Sequence, residues 1–433
     1  MPRTRWISTT PTAQWREQTV DVSAPVEGAA LALDGTRHQT WDGWGGCFNE
    51  LGWIALSGLD ADARYETLGL LFDQRDGCKF TFCRMPIGAS DYGAEWYSLN
   101  ETAGDFAMTH FSIARDKGCL IPYIKAAMAW QPELALFASP WSPPTWFKFP
   151  RAYNYGTMIW QPEYLDAYAR YFLKFVQAYR AEGINITQVH VQNEPVADQK
   201  FPSCLWTGAQ MRDFIRDHLG PLFAREGLDC EIWLGTLNTD DYDGYPHTVM
   251  SDPDAYRYTA GVGFQWAGKG AIQRTHESWP EKRLMQTENE CGDGRNTWEY
   301  ARYVYDLFRH YITNGANAYV YWNMILQPGG LSTWGWRQNA MITVDPAAKT
   351  VTLNPEFYVM KHFSSIIAPG ATRLGLKGPW TGNAVAFANP DGGTAMVVGN
   401  PFADDRALTF DGAGTRFTVT LPGYSFNTFV IEG

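Results

Sequence analysis

Between about Trp41 and about Asn323, short uninterrupted apolar runs alternate with longer segments whose apolar positions recur every three or four residues. That is the pattern of strands buried on both faces, each followed by an amphipathic helix. Residues 79–84, 133–138, 186–191, 231–235, 283–287 and 318–322 read as such strands. Over 164–179, Leu165, Tyr168, Phe172, Phe175, Val176 and Tyr179 fall on one helical stripe. Residues 298–311 repeat the pattern, and Asn314-Gly315 is a stop signal before the last strand. Repeated β-α units over roughly 280 residues fit a (β/α)8 TIM barrel, with a doubly wound parallel sheet as the alternative on pattern alone.

After about Val351 the texture changes to short alternating strands, at 384–388, 394–398, 416–421 and 425–431, with Asn389-Pro390-Asp391-Gly392-Gly393 as a turn between the first two. This predicts an attached antiparallel β-sandwich side domain. The N-terminal stretch also reads as strands and turns. The expected organisation is therefore 1–38 contributing strands to the side domain, 39–345 as the α/β barrel, and 346–433 as the sandwich.

Composition narrows the partners. The chain of 433 residues has a formal charge of −11, which disfavours nucleic acid and anionic membranes. No apolar run approaches the length of a transmembrane segment, and residues 1–6 lack the apolar core of a signal peptide. The 19 Trp, 22 Tyr and 24 Phe supply flat rings that suit either the apolar faces of sugars or a ring-rich core. Seven cysteines, scattered and without a CxxC pair, read as buried reduced thiols, so the expected compartment is the cytoplasm and no structural zinc is expected. His247 and His276 have no ligand-like partners, and no nucleotide or dinucleotide fingerprint is present, so no metal or other cofactor is expected.

Barrel enzymes carry reactive groups at the carboxyl ends of their strands. Two carboxylates stand there: Glu194 in Val191-Gln192-Asn193-Glu194-Pro195 and Glu288 in Met285-Gln286-Thr287-Glu288. Cleaving a glycosidic bond needs one group to protonate the leaving oxygen and another to attack or stabilise the anomeric centre, and two facing carboxylates can do both. Each alone could equally cap a helix or meet an arginine. Glu290, two residues on, shares the face of Glu288 but lies further out, so Glu288 on the rigid strand end is preferred. His190, four residues before Glu194, reads as a satisfied barrel histidine.

Asn193-Glu194-Pro195 and Glu288, with Trp41-Asp42-Gly43-Trp44-Gly45-Gly46, Arg84-Met85-Pro86-Ile87-Gly88-Ala89-Ser90-Asp91, Ala138-Ser139-Pro140-Trp141-Ser142-Pro143-Pro144-Thr145-Trp146, Trp322-Asn323 and Asn354-Pro355-Glu356-Phe357-Tyr358, resemble glycoside hydrolase family 30. This is the glucosylceramidase-like group of retaining β-glycosidases. The resemblance spans about residue 40 to about 375. It implies Glu194 as acid/base, Glu288 as nucleophile, and Asn193 on the sugar 2-hydroxyl. It also implies Asp91 and Trp141 on distal hydroxyls, Trp322 as the pocket floor, and Arg84 beside the nucleophile. Many relatives have a tyrosine after the sixth strand that bonds the nucleophile. Here the segment is Gly263-Phe264-Gln265-Trp266-Ala267, and Gln265 is the candidate replacement.

The implied substrate is a small-molecule or oligosaccharide β-glycoside, with β-glucosidic bonds first and endo-β-1,6-glucanase or xylanase action as alternatives. Whether residues 97–105 and 327–337 close the site into a pocket or leave a cleft would separate exo from endo action. A carbohydrate-binding protein on an inactive barrel is the alternative from another class.

Overall fold

The computed structural model describes residues 3–20 and 29–433. Eight parallel strands close into a barrel in chain order: Gly43–Cys47, Phe82–Ile87, Ala135–Pro140, Ile186–His190, Glu231–Leu237, Thr259–Gln265, Arg283–Glu288 and Ala316–Asn323. The eighth pairs with the first, so no strand edge is left open. The fold is therefore the (β/α)8 barrel and not the doubly wound sheet.

The second strand starts at Phe82, three residues after the run read from sequence. Lys79 takes a left-handed backbone with φ 57°, which an extended strand cannot include. It continues through Arg84 and Pro86 to Ile87, all fully buried. The third likewise begins at Ala135, because the Gln131 side chain and carbonyl turn the chain at Glu133 and Leu134.

The first and sixth strands lack an apolar run because glycines fill them, and the glycines are there for close approach. A Cβ on Gly45 would sit 1.8 Å from the Phe82 carbonyl oxygen, and one on Gly263 would sit 2.6 Å from the His190 ring. The space they leave is occupied by the barrel's interior layer of Phe82, Phe137, Trp233, Met285, Ala318 and Val320. His190 rests on this layer, 5.4 Å from Trp233 and nearly parallel to it. It is not the fully satisfied histidine expected. Nδ1 has no partner, Nε2 lies 3.4 Å from Gln188 Oε1, and burial drives its pKa well down, so it is neutral.

Outside the barrel, the predicted helices run over Pro162–Ala181 and Trp298–Thr313, and Gly315 follows the second with φ 94°. The side domain is a nine-stranded sheet with its own apolar cluster around Trp6, Phe410, Phe417 and Phe429. Thr4–Thr9 pairs with Ser425–Ile431, and Leu31–Thr40 with Thr372–Lys377. One contact departs from the antiparallel expectation: Leu31–Thr40 runs parallel to Arg406–Gly412. Asn389 N–H donates to Gly393 O, closing the predicted turn.

Helix Pro355–Ser364 joins the two domains. His362 sits fully buried between Thr428 Oγ1 and Thr9 Oγ1, 2.8 Å from each. The Thr428 hydroxyl donates to the His362 carbonyl, so His362 Nδ1 must be the donor to Thr428, and Nε2 accepts from Thr9. Among the described residues, no helix is long and apolar enough to cross a membrane.

Two buried carboxyls make the fold pH-sensitive. Asp116 accepts from the Tyr97 and Tyr179 hydroxyls, but burial still pushes it up to about 6. Glu356 has one oxygen on Asn339 and the other without a partner, and burial pushes it up to about 7. Unfolded, both would titrate near 4, so the native state holds more protons between about pH 4 and 7 and stability falls as pH rises through that window. Glu356→Gln should therefore flatten the decline of Tm across this range. A Tm profile with the wild-type slope would contradict the assignment.

Candidate active site

At the carboxyl end of the barrel, a cavity of about 330 Å³ is lined by Asp91, Trp141, Glu194, Glu288, Trp266 and Gln338 among others. Strands two, four, six and seven deliver Arg84, Asn193, Gln265 and Glu288 to one point beneath it.

Arg84 is the centre of that point and has no solvent exposure. Its Nη1 lies 2.6 Å from Glu288 Oε2 and 3.2 Å from the Thr287 carbonyl. Nη2 donates to Asn193 Oδ1 at 2.5 Å and to Ser139 Oγ at 2.8 Å. Trp141 and Trp322 rings lie 4.5 and 5.4 Å from the guanidinium carbon, and the two rings are 5.3 Å apart. Desolvated cation–π contacts of this kind contribute on the order of 2 kcal/mol.

Gln265, the last residue of strand six, donates from Nε2 to Glu288 Oε2 at 3.0 Å, alongside contacts to Asn193 Oδ1 and Thr236 Oγ1. The segment 263–267 carries no tyrosine, and Gln265 is the residue of it that hydrogen-bonds Glu288. Asn193 Oδ1 is saturated by Arg84, Gln265 and Thr236. That fixes which way its amide points, leaving the NH₂ for an acceptor from outside the protein.

The two glutamates sit in opposite surroundings. Burial pushes the Glu288 pKa well up, Arg84 pulls it down through charge and hydrogen bond, and Glu194 and Asp91 add to the rise. Protonating Glu288 would leave the guanidinium buried without a counter-charge, a loss of several kcal/mol, so Glu288 is the group that keeps its charge. Glu194 has no such partner. It is half-buried, burial raises its pKa, and only the Trp266 indole N–H, 2.8 Å from Oε1, and the more distant Arg84 oppose the rise. Its backbone is left-handed, with φ 50°. This conformation costs a non-glycine residue on the order of 1 kcal/mol, and the bond from its N–H to the Thr236 carbonyl helps hold it.

Asp91 also faces the cavity. Burial and the neighbouring Glu194 push it up to about 7, against Arg84 and Gln338, and its Oδ1 has no protein partner. Glu290 stands at the rim, paired with Lys269. Cys291 corrects the reading of uniformly buried thiols: it is half-buried, lines the cavity, and its Sγ lies 3.8 Å from Glu288 Oε1.

Sequence reading missed Thr236, Trp266, Gln338 and Lys148. Lys148 is fully buried and donates to Ser142 Oγ, Tyr153 O and Ser203 O at 3.0, 2.9 and 2.6 Å. It staples the loop after strand three to the loop after strand four, and burial lowers its pKa to about 8. Its position three residues after Thr145 in an aromatic, proline-rich loop was the signal available. Segment 327–337 closes one side of the cavity. Trp334 packs 4.1 Å from Trp96 and its indole donates to Ser90 O, while Trp336 meets Phe201.

A charged carboxylate on an arginine and a second carboxyl favouring its proton, facing one cavity with aromatic walls, is equipment for attack and proton donation at a glycosidic bond. Comparison with known proteins agrees. Residues 41–367 match the family description "Glycosyl hydrolase family 30 TIM-barrel domain", and 370–429 match "Glycosyl hydrolase family 30 beta sandwich domain". The chain is 28% identical to lysosomal acid glucosylceramidase of Mus musculus, over 91% of this chain and 81% of that protein. Among solved structures it is similar to SrfJ from Salmonella typhimurium, with TM-score 0.92, 26% identity and 99% of each chain covered. It is also similar to the endo-beta1,6-glucanase BT3312, with TM-score 0.89, 25% identity, and 99% and 100% covered.

Trp266→Phe removes the one hydrogen bond that favours ionised Glu194. The Glu194 pKa should rise, and the alkaline limb of the kcat/KM profile for an aryl β-glycoside should move to higher pH. A limb that stays put or moves to lower pH would contradict the contact's role.

Proposed function

The chain belongs to glycosyl hydrolase family 30, and on that premise we propose that this O-glycosyl hydrolase is a retaining β-glycosidase acting first on β-glucosidic bonds. The observation that carries the reading is the electrostatic split between Glu288, held as a carboxylate by Arg84, and Glu194, which has no cationic partner. Glu288 attacks the anomeric carbon, and Glu194 protonates the departing oxygen. Once the glycosyl ester forms, the charge on Glu288 is gone and Glu194 can carry a charge in its place. Glu194 then takes a proton from water, and the sugar leaves with its configuration retained. Asn193 presents its NH₂ to the 2-hydroxyl, Trp141 and Trp322 supply floor and wall, and Asp91 accepts from a distal hydroxyl.

The β-glucosyl preference is supported by likeness to a glucosylceramidase, and the wall made by 327–337 favours a pocket for a terminal sugar. Likeness to an endo-beta1,6-glucanase supports a second reading, endo action on a β-1,6-glucan. Products separate them: glucose alone from the chain end under the first, a ladder of oligosaccharides under the second.

Proton NMR of the first-released sugar from an aryl β-glucoside should show the β anomer before mutarotation, and an α anomer would refute retention. Glu288→Gln should lose turnover by about three orders of magnitude or more with an unchanged melting curve, whereas near-wild-type rates would remove its role. Glu194→Ala should hydrolyse activated aryl glycosides faster when azide is added, with β-glycosyl azide as product. No rescue would contradict the acid/base assignment.

A further inference from the structure

Behind Asp91 runs a chain of three amides, two buried and the third half-buried at the cavity, whose direction is set outside the site. Asn49 caps helix Glu50–Ser57, its Oδ1 accepting from Gly52 N–H at 2.8 Å. A backbone N–H can only donate, so the oxygen of Asn49 must face it and the NH₂ must face away. That NH₂ donates to Asn323 Oδ1 at 2.9 Å. Asn323, so oriented, donates from Nδ2 to Gln338 Oε1 at 2.7 Å. Gln338 lines the cavity with Asp91, and with its oxygen occupied its own NH₂ is the end left for the Asp91 side. Asn49 and Asn323 are each 1% exposed or less.

We infer that Asn49, Asn323 and Gln338 form a one-way amide relay in which a helix cap dictates that the pocket presents a hydrogen-bond donor, and not an acceptor, beside Asp91. The consequence is a matched pair at the cavity wall: an anionic acceptor and an amide donor, able to hold a hydroxyl by giving it one hydrogen bond and taking another. Asn49 and Asn323 are positioning residues and do not touch substrate. The groups facing Asp91 are Glu194 and Glu288, which disfavour its charge, Arg84 and Gln338, which favour it, and the neutral Tyr92 and Cys291. Gln338 is the one among them whose sign a 180° amide turn reverses. The inference rests on the proposed function only for the statement that a sugar hydroxyl is what the pair holds.

The relay can be cut or reversed while the cap is kept. In Asn49→Ser the hydroxyl still caps the helix but is too short to reach Asn323, so the orientation of the chain is released. In Asn49→Asp the carboxylate caps equally well but can only accept, which turns Asn323 and then Gln338 so that Oε1 faces Asp91. The readout is the carboxyl ¹³C titration of Asp91 in full-length protein labelled with [¹³C]aspartate, assigned by the resonance lost in Asp91→Asn.

With the Gln338 NH₂ no longer held towards the charged form, Asp91 should move upward in Asn49→Ser, and with the amide oxygen turned towards it, upward by about one unit or more in Asn49→Asp. If Asn49→Ser titrates as wild type, the relay is overturned whatever Asn49→Asp does, because the aspartate alone could act through its charge. Should Asn49→Ser not fold, Asn323→Leu, which leaves the cap intact, must show the same upward movement.

With aryl β-glucoside, both Asn49 variants should raise KM about three-fold or more with little change in kcat, since the hydroxyl involved is remote from the breaking bond. An unchanged KM would overturn the hydroxyl-holding role. A wild-type protein inactive on every aryl β-glycoside would overturn the proposed function instead, with the Asp91 titration still deciding the relay.

Discussion

The site depends on one unfavourable act: placing the Arg84 guanidinium where no water reaches it. A desolvated cation persists only with a contacting anion and satisfied N–H groups. Glu288 supplies the charge, while Thr287 O, Ser139 Oγ and Asn193 Oδ1 take up other donors. The same constraint explains why Glu288 can be both deeply buried and ionised. Arg84 is fixed from below by the aromatic interior of the barrel and flanked by two tryptophan rings, so the carboxylate it holds is fixed as well.

Around this pair the protein arranges three carboxyls of unequal standing. Glu288 is in contact with the cation; Glu194 and Asp91 are near it but not touching, and burial raises both. A site with one cation and three carboxyls has to keep protons somewhere. Keeping them away from Glu288 leaves a nucleophile and an acid in the same cavity. The loops carrying Glu194 and Trp141 hold their places through Thr236, Gln192 and the buried ammonium of Lys148, so the arrangement is set before any ligand arrives.

Much of this was legible in the chain, and the gaps have physical causes. Strands with continuous apolar runs could be read to within a few residues. The glycine-built first and sixth strands could not be read as apolar runs, because glycine there makes room for a neighbour instead of burying a side chain. Arg84 looks like the end of a strand in sequence, yet the strand runs on through Pro86 to Ile87. Glu194, Glu288, Asn193, Asp91, Trp141, Trp322 and Arg84 could be nominated from strand-end position and family resemblance. Gln265 could be nominated from an absence, the missing tyrosine. Gln338, Asn49 and Lys148 could not, because their roles come from hydrogen bonds that cross between loops far apart in the chain and leave no periodic trace. His190 was recognisable as buried, but its unpartnered Nδ1 was not.

The account turns on Glu288 being the group that bonds to sugar carbon. Incubation with a 2-deoxy-2-fluoro-β-glucoside bearing a good leaving group, followed by peptide mass spectrometry, tests this directly. One fluoroglucosyl adduct should appear, on the peptide containing residues 284–291 and, within it, on Glu288. An adduct on Glu290 or Glu194, or steady turnover of an active enzyme with no adduct, would contradict the claim.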